Sequence, residues 1–352
     1  MATSSIPVNS EEIYDTRTIL AAIVNLLPAP TFLKNSLFGT IVTSPTDSVV
    51  LDYFKGNQRL APFVARRKRG IAVERTPFQT SIYKPPRIAP TKDLRADDLL
   101  IRGAGESASN PLRSGAEREA EWLTLDMDDL DLRISRREEW MVAQCLFTGK
   151  IDCRDSDDKK TIETIDYGQI SETVVSPFWD DPASDPLKHL KTAMRVVSGA
   201  CGNQANFVVM GSKAGDAFET NKNVIDAYSH FWLQPGILDP KLETFGVFKL
   251  TVWRGMPLYV CEEVFEDDDG TVKPYVPENM VLVACTALQG KMCYAGIAQV
   301  DPNTRTMDVF EGPRIPQVYY DEEEDSRRLR LTSRPVPCPA DVTAWTVLQV
   351  LA

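Results

Sequence analysis

Histidine is nearly missing from this chain: 352 residues hold only His189 and His230. That removes most of the side chains used for proton transfer near neutral pH and leaves no histidine pair for a metal centre. Glycine-rich phosphate loops are absent, and no serine sits in a nucleophile elbow. The cysteines are an odd set of seven, scattered at 145, 153, 201, 261, 285, 293 and 338. Their number and spacing fit reduced thiols rather than a disulfide framework or a zinc site. No stretch reaches the roughly 18 to 20 apolar residues that span a bilayer. The best, Ile19–Leu27, is interrupted by Asn25 and stopped by Pro28. No signal peptide is expected, because no charged start leads into an apolar core and a small-residue cleavage site. Internal repeats and low-complexity tracts are missing too.

What remains is an acidic chain of net charge −11, 43% hydrophobic and 25% charged. Such a chain can build two ordinary cores, or one core with long extensions. Its acidity argues against general nucleic-acid binding.

The most telling segment is Lys55–Pro90. It carries Arg66, Arg67, Lys68 and Arg69, and prolines at 62, 77, 85, 86 and 90. Proline removes backbone donors and disfavours helix, while Ile71, Val73, Phe78, Ile82 and Tyr83 favour strand. A two-stranded ribbon is marginal alone in water, so another surface must cover it. A second copy of the chain is the nearest one. The basic cluster lacks interleaved aromatics for stacking bases. Acidic partners for it stand at Asp126, Asp128, Asp129 and Asp131 and in the run Asp321–Asp325.

A second helix is expected over Gly115–Thr148. Ser114 and Glu117 form a capping box. Leu123, Met127, Leu130, Ile134, Met141 and Cys145 then recur at steps of four, three, four, seven and four, one apolar stripe. Gly149 suits the position just past the end. The helix would be about 50 Å long at 1.5 Å per residue and would lie beneath a sheet. Other expected elements are a helix over Tyr14–Leu27, a strand over Ile41–Tyr53 and a hairpin over Ile151–Tyr167. Helices are expected over Pro186–Ser198 and Lys213–Tyr228, with a buried strand Asn206–Met210 between them. Phe248–Phe265 and Val272–Cys285 read as strands around an acidic turn, and Val342–Val350 closes the chain as a strand. Phe32, Leu33, Leu37 and Phe38 form an apolar cluster that needs burial. Asp267–Gly270 and Asp155–Asp158 read as hairpin turns rather than calcium loops, lacking the alternating ligands and closing glutamate. A nucleophile pair could be drawn between Cys201 and His189 or His230, but a small residue in a helix–strand loop explains Cys201 more simply.

In order and content these segments resemble the tailed-phage major capsid proteins, and most closely the lambda-type major head protein (capsid protein E) family. Tyr14–Phe38 is similar to that family's N-terminal arm, and Phe78–Pro90 to the tip and descending strand of its extended loop. Val264–Ala284, an acidic hairpin followed by a Pro-acidic-Asn turn and a strand, and the ending Pro335–Ala352 are the most specific matches. The resemblance implies an α+β tailed-phage major-capsid fold: N-terminal arm, extended β-hairpin loop, long spine helix with a peripheral sheet, and a compact α/β axial domain. Its implied boundaries are an arm and lead-in strand over 1–54, an extended loop over 55–92, and a peripheral domain over 93–175. An axial domain over 176–299 and return strands to the peripheral domain over 300–352 complete it.

It also implies a non-enzymatic shell protein without cofactor, forming pentamers and hexamers that enclose double-stranded DNA without sequence-specific binding. A scaffolding protein, a portal and a decoration protein are the implied partners, and the virion, after assembly in the host cytoplasm, the implied location. On this reading Arg66, Arg67, Lys68, Arg69, Phe78, Ile82 and Tyr83 contact the next subunit. Ile19, Ile23, Phe32, Leu33 and Phe38 anchor the arm on a neighbour. The four spine aspartates, Asp126, Asp128, Asp129 and Asp131, are the candidate acidic partner surface. A host-encoded nanocompartment shell of the same fold and a Cys201 hydrolase are the alternatives.

Overall fold

Period-two alternation with apolar residues on both faces demands strands covered on both sides, and Asn206–Met210 and Val281–Ala284 have it. The computed structural model describes residues 31–54, 78–100, 115–155, 160–229, 241–244, 246–267, 269–300, 306–321 and 326–352. The expected helix over Tyr14–Leu27, with Ile19 and Ile23, lies outside the described residues, as do Arg66–Arg69, Ser114 and His230.

The chain runs through helix α1 (Phe32–Leu37), strands β1 (Thr40–Ser44), β2 (Val49–Phe54), β3 (Phe78–Tyr83) and β4 (Thr91–Arg95), then the long helix α2 (Gly115–Phe147). Next come β5 (Lys150–Arg154), β6 (Thr161–Asp166), β7 (Ser171–Val174), α3 (Pro186–Cys201), β8 (Phe207–Gly211), α4 (Ser212–Thr220) and α5 (Lys222–Ser229). Strands β9 (Lys241–Thr244), β10 (Val247–Trp253), β11 (Met256–Cys261), β12 (Val264–Glu266), β13 (Val272–Pro274) and β14 (Met280–Ala284) follow. The chain ends with β15 (Lys291–Ala295), β16 (Ile297–Val300), β17 (Met307–Phe310), β18 (Ile315–Asp321), β19 (Ser326–Thr332), β20 (Pro335–Cys338) and β21 (Trp345–Gln349).

Seven strands form the central sheet in the order β7-β21-β14-β8-β11-β10-β9. Its alternation divides two cores. Val208, Met210, Val281 and Val283 face one, closed by Leu190 and Val197 of α3 and Phe218 of α4. Phe207, Val209, Leu282 and Val347 face the other, closed by α1 and by Met141–Phe147 of α2. A smaller core joins Met127, Leu130 and Ile134 of α2 to Val318, Leu329 and Leu331 of the sheet β18-β19-β4. Burying each such side chain contributes about 1.5–3 kcal/mol, so α2 is held along its length by packing.

The long helix ends one residue before the expected Thr148, and Gly149 beyond it is left-handed at φ +68°. There its N–H donates to Gln144 O at 3.2 Å, and a Cβ would stand 2.8 Å from Gly168 O. Glycine is needed at that position. The hairpin β5–β6 forms as expected.

Three expectations change. Ile41–Tyr53 is two strands, because Pro45 lacks an N–H and Thr46 Oγ1 donates to Ser48 O at 2.6 Å, turning the chain. Lys213–Tyr228 is two helices, broken at Asn221. That residue is buried, with its Nδ2 donating to Trp179 O and Ser184 O and its Oδ1 accepting from Asn223 N. Strands of 300–352 pack in two places. β21 is apolar on both faces, so it inserts between β14 and β7, while β19 packs on the helix with its leucine face. The extended stretch closes before Pro90: Ile88 pairs with Ser333, and Pro85 O accepts from Arg334.

Candidate functional site

Strands β2 and β3 form a two-stranded ribbon, with Val49 opposite Tyr83 and Val50 opposite Ile82. One face is held by its own subunit. Val49 is buried, and the Tyr83 ring lies 5.4 Å from that of Tyr167. Arg334 anchors the root, donating to Pro85 O, Gly296 O and Asp47 O at 3.2–3.3 Å. The other face carries Val50 and Ile82, 57% and 65% exposed. The two are apolar cross-strand neighbours on the exposed face of the ribbon. Tyr83 thus packs partly against its own subunit. Phe78 lies in β3 opposite Phe54.

The outer side of α2 carries a second apolar stripe. Trp122, Leu125 and Leu132 are 41%, 54% and 37% exposed, at spacings that share a helix face. Sequence reasoning missed this stripe, which hides among charges.

The acidic face of α2 is largely engaged within the subunit. Lys92 Nζ lies 3.1 Å from Asp126 and 2.8 Å from Asp129, and Arg133 Nε lies 3.0 Å from Asp129. The hydrogen bond from Lys92 holds the Asp129 carboxyl below its usual range. Asp131 is buried and takes Arg314 Nε at 2.5 Å. Asp128 is half-buried.

Arg314 is the centre of a buried network. Its Nη1 and Nη2 reach Glu138 Oε1 and Oε2 at 2.5 and 3.2 Å, and its Nη2 also reaches Ser135 Oγ at 3.0 Å. Tyr294 Oη donates to Glu138 Oε1 at 3.1 Å, and Lys34 Nζ to Oε2 at 2.6 Å. Burial opposes the Glu138 charge, but Arg314 and Lys34 outweigh it and hold the carboxyl below its usual value. Phe32, Leu33 and Phe38 lie 8%, 0% and 2% exposed in the same subunit's core. Within the subunit α1 is held by the Phe32 ring, which packs against both Phe207 and Tyr259.

Another apolar face lies on the ribbon β16–β17. Ala298, Val300, Met307 and Val309 share it, and Met307 is 86% exposed. The opposite face is fixed by Gln299 Nε2 donating to Pro316 O and Gln317 Nε2 to Val300 O. The alternation of Gln299 with apolar neighbours was the available signal.

Among the described residues Cys201 and His189 each have other partners. Cys201 ends α3, its Sγ donates to Asn203 O at 3.3 Å, and burial raises the thiol. His189 accepts from Trp179 Nε1 at 3.3 Å, and burial lowers it. The acidic turn of β12–β13 is closed by Lys273 donating to Asp267. Among the described residues no helix is long and apolar enough to cross a membrane.

A body built on one long helix, with a braced ribbon and apolar outer faces but no catalytic cluster among the described residues, has the form of a shell subunit. The phage major capsid protein E family matches residues 15–350, and the chain belongs to that family. It is a major capsid protein of a phage or prophage, with a structural role. The P21 prophage-derived major head protein of Escherichia coli O6:H1 strain CFT073 is 21% identical over 351 residues, covering 96% of this chain and 99% of that one. The major capsid protein of Enterobacteria phage P21 matches to the same extent, 21% over 351 residues. A solved prophage capsid structure from E. coli CFT073 superposes with a TM-score of 0.69 at 17% identity, covering 96% of this chain and 99% of that one. A phage-related protein from Bordetella bronchiseptica RB50 gives 0.54 at 14%, covering 94% and 95%. The fold is thus the tailed-phage major-capsid fold, as the resemblance implied.

Proposed function

We propose that the chain assembles with copies of itself, as pentamers and hexamers, into an icosahedral shell around double-stranded DNA. The contacts are heterologous, so that a closing rotation makes rings. The apolar pair Val50 and Ile82 seats on the next copy, and the exposed stripe Trp122, Leu125 and Leu132 of α2 offers it an apolar surface. Arg66, Arg67, Lys68 and Arg69 set the register of this contact by pairing with carboxylates of the neighbour. Scaffolding protein, portal and decoration protein are further partners, and assembly takes place in the host cytoplasm. The chain has no enzymatic activity of its own in this role.

One observation carries the reading: the ribbon's own body braces one face and leaves the other, Val50 and Ile82, apolar and uncovered. The test replaces both with aspartate. Subunits with native circular dichroism that fail to form particles in electron micrographs are expected. Particles in undiminished yield would refute the contact.

A further inference from the structure

The hairpin β12–β13 and the helix α3 belong to opposite sides of the central sheet. Phe265 of the hairpin packs on the core closed by α1 and α2. Leu190 and Val197 of α3 close the core on the other side.

Alternation gives the hairpin two faces. On one, Phe265 stands opposite Lys273, and the Phe265 ring lies 4.9 Å from that of Tyr275. Tyr275 N donates to Glu263 O at 3.1 Å, Asp267 N donates to Thr271 O at 2.9 Å, and Lys273 pairs with Asp267. The hairpin is thus braced from behind. Its other face sets Val264 opposite Pro274 and Glu266 opposite Val272. Val264 and Val272 are 57% and 67% exposed. Glu266 is exposed too and has no ion pair among the described residues. The only charge on this face is negative.

The outer side of α3 has the opposite sign. Lys188, Lys191 and Arg195 recur at steps of three and four, which share one helix face. Lys188 and Arg195 are exposed and Lys191 is half-buried. None of the three has an ion pair among the described residues, although the chain carries a net charge of −11. Val196, 48% exposed, follows Arg195 on the same outer side.

We infer that the outer side of α3 in one copy docks onto the β12–β13 hairpin of a second copy. Val196 covers Val264 and Val272, and Arg195 and Lys191 take Glu266. The inference rests on the shell reading and deepens it by naming a further contact between copies. Each surface offers one charge beside an apolar group. Arg195 and Val196 are adjacent in sequence, while Glu266 and Val272 are directly opposed, with Cβ atoms about 4.5–5.5 Å apart. Within one subunit the sheet separates the two surfaces, so a neighbour must supply the second. A contact between unlike surfaces is head-to-tail, and it leaves both kinds open until a ring closes. The valines supply the burial, and the charges supply register and encounter rate more than affinity.

Two measurements on the full-length chain test it. Chains carrying Val196→Cys and chains carrying Val272→Cys are purified separately, mixed and treated with a mild thiol oxidant. On a non-reducing gel the mixture should give a covalent dimer about tenfold above either variant alone and above the native chain. A chain carrying both substitutions should give a ladder of oligomers. In the second measurement, Arg195→Glu and Glu266→Arg should each slow particle formation at low salt about tenfold, followed by light scattering, with native circular dichroism. The two together in one chain should restore most of the rate. Particles without the mixed cross-link would overturn the inference and leave the shell reading standing, whereas neither particles nor cross-link would remove both. Single reversals that assemble at the native rate, or a double reversal no faster than the singles, would also overturn it. A loss confined to DNA-filled particles, with empty shells forming normally, would assign the α3 cations to packaged DNA and overturn it as well.

Discussion

Arg314 grips Glu138 across 176 residues of sequence, placing two guanidinium nitrogens on two carboxylate oxygens at 2.5 and 3.2 Å. This contact joins the start of β18 to the middle of α2, and Tyr294 and Lys34 bring β15 and α1 to the same carboxylate. Four distant pieces of chain are thereby registered on one buried charge.

Removing the cation alone should be costly. Arg314→Met leaves Glu138 buried with incomplete neutralisation, and urea unfolding should report a loss of about 3–5 kcal/mol. Adding Glu138→Met should restore much of it, because an apolar pair leaves no orphaned charge. A single-mutant loss below about 1 kcal/mol would show the network to be incidental.

Stability should peak in mildly acidic solution. Glu138 has a depressed carboxyl, so its contribution is present above the ordinary carboxylate range and is lost as pH falls through its lowered value. Glu139 is raised to about 7, so its contribution is complete below the ordinary range and is lost as pH rises through 7. Melting temperatures should therefore pass through a maximum near the ordinary carboxylate range, at about pH 4 to 5, and fall from there to about pH 7. A steady rise from pH 6 to 8.5 would contradict the assignment.

A methyl group at position 290 should not fit. A Cβ there would stand 2.4 Å from Phe38 Cε1 and 3.1 Å from Cys338 O, and Phe38 is only 2% exposed. Gly290→Ala should destabilise by about 1–3 kcal/mol in thermal or denaturant unfolding. Phe38→Leu in the same chain should recover part of the loss if the ring is the obstacle.

Reversing Arg66, Arg67, Lys68 and Arg69 to glutamate should leave the monomer folded while suppressing particle formation at low salt. Circular dichroism and sedimentation velocity separate the two effects. Normal sedimentation of complete shells would remove the register role of this cluster.

The long helix and most hairpins were legible because their signals are local. The stripe from Leu123 to Cys145 repeats at helical steps, and Gly149 takes the conformation that glycine permits. The apolar cluster Phe32–Phe38 showed that burial was needed but not which subunit supplies it. That depends on Glu139, Phe207 and Tyr259, all remote in sequence. Asp126, Asp129 and Asp131 looked available for the same reason: their partners, Lys92 and Arg314, carry no local mark of pairing.

Sequence alone determined the long helix with its glycine stop, the hairpin after it and the buried strand at Phe207–Met210. Periodicity, proline and glycine act within a few residues of themselves, so they can be read from one string. Only the tertiary structure decided that α1 is clamped at home, that β21 enters the central sheet, and that Val50 and Ile82 are left uncovered. Each of those outcomes turns on which distant surfaces meet, and burial and charge pairing are properties of that meeting.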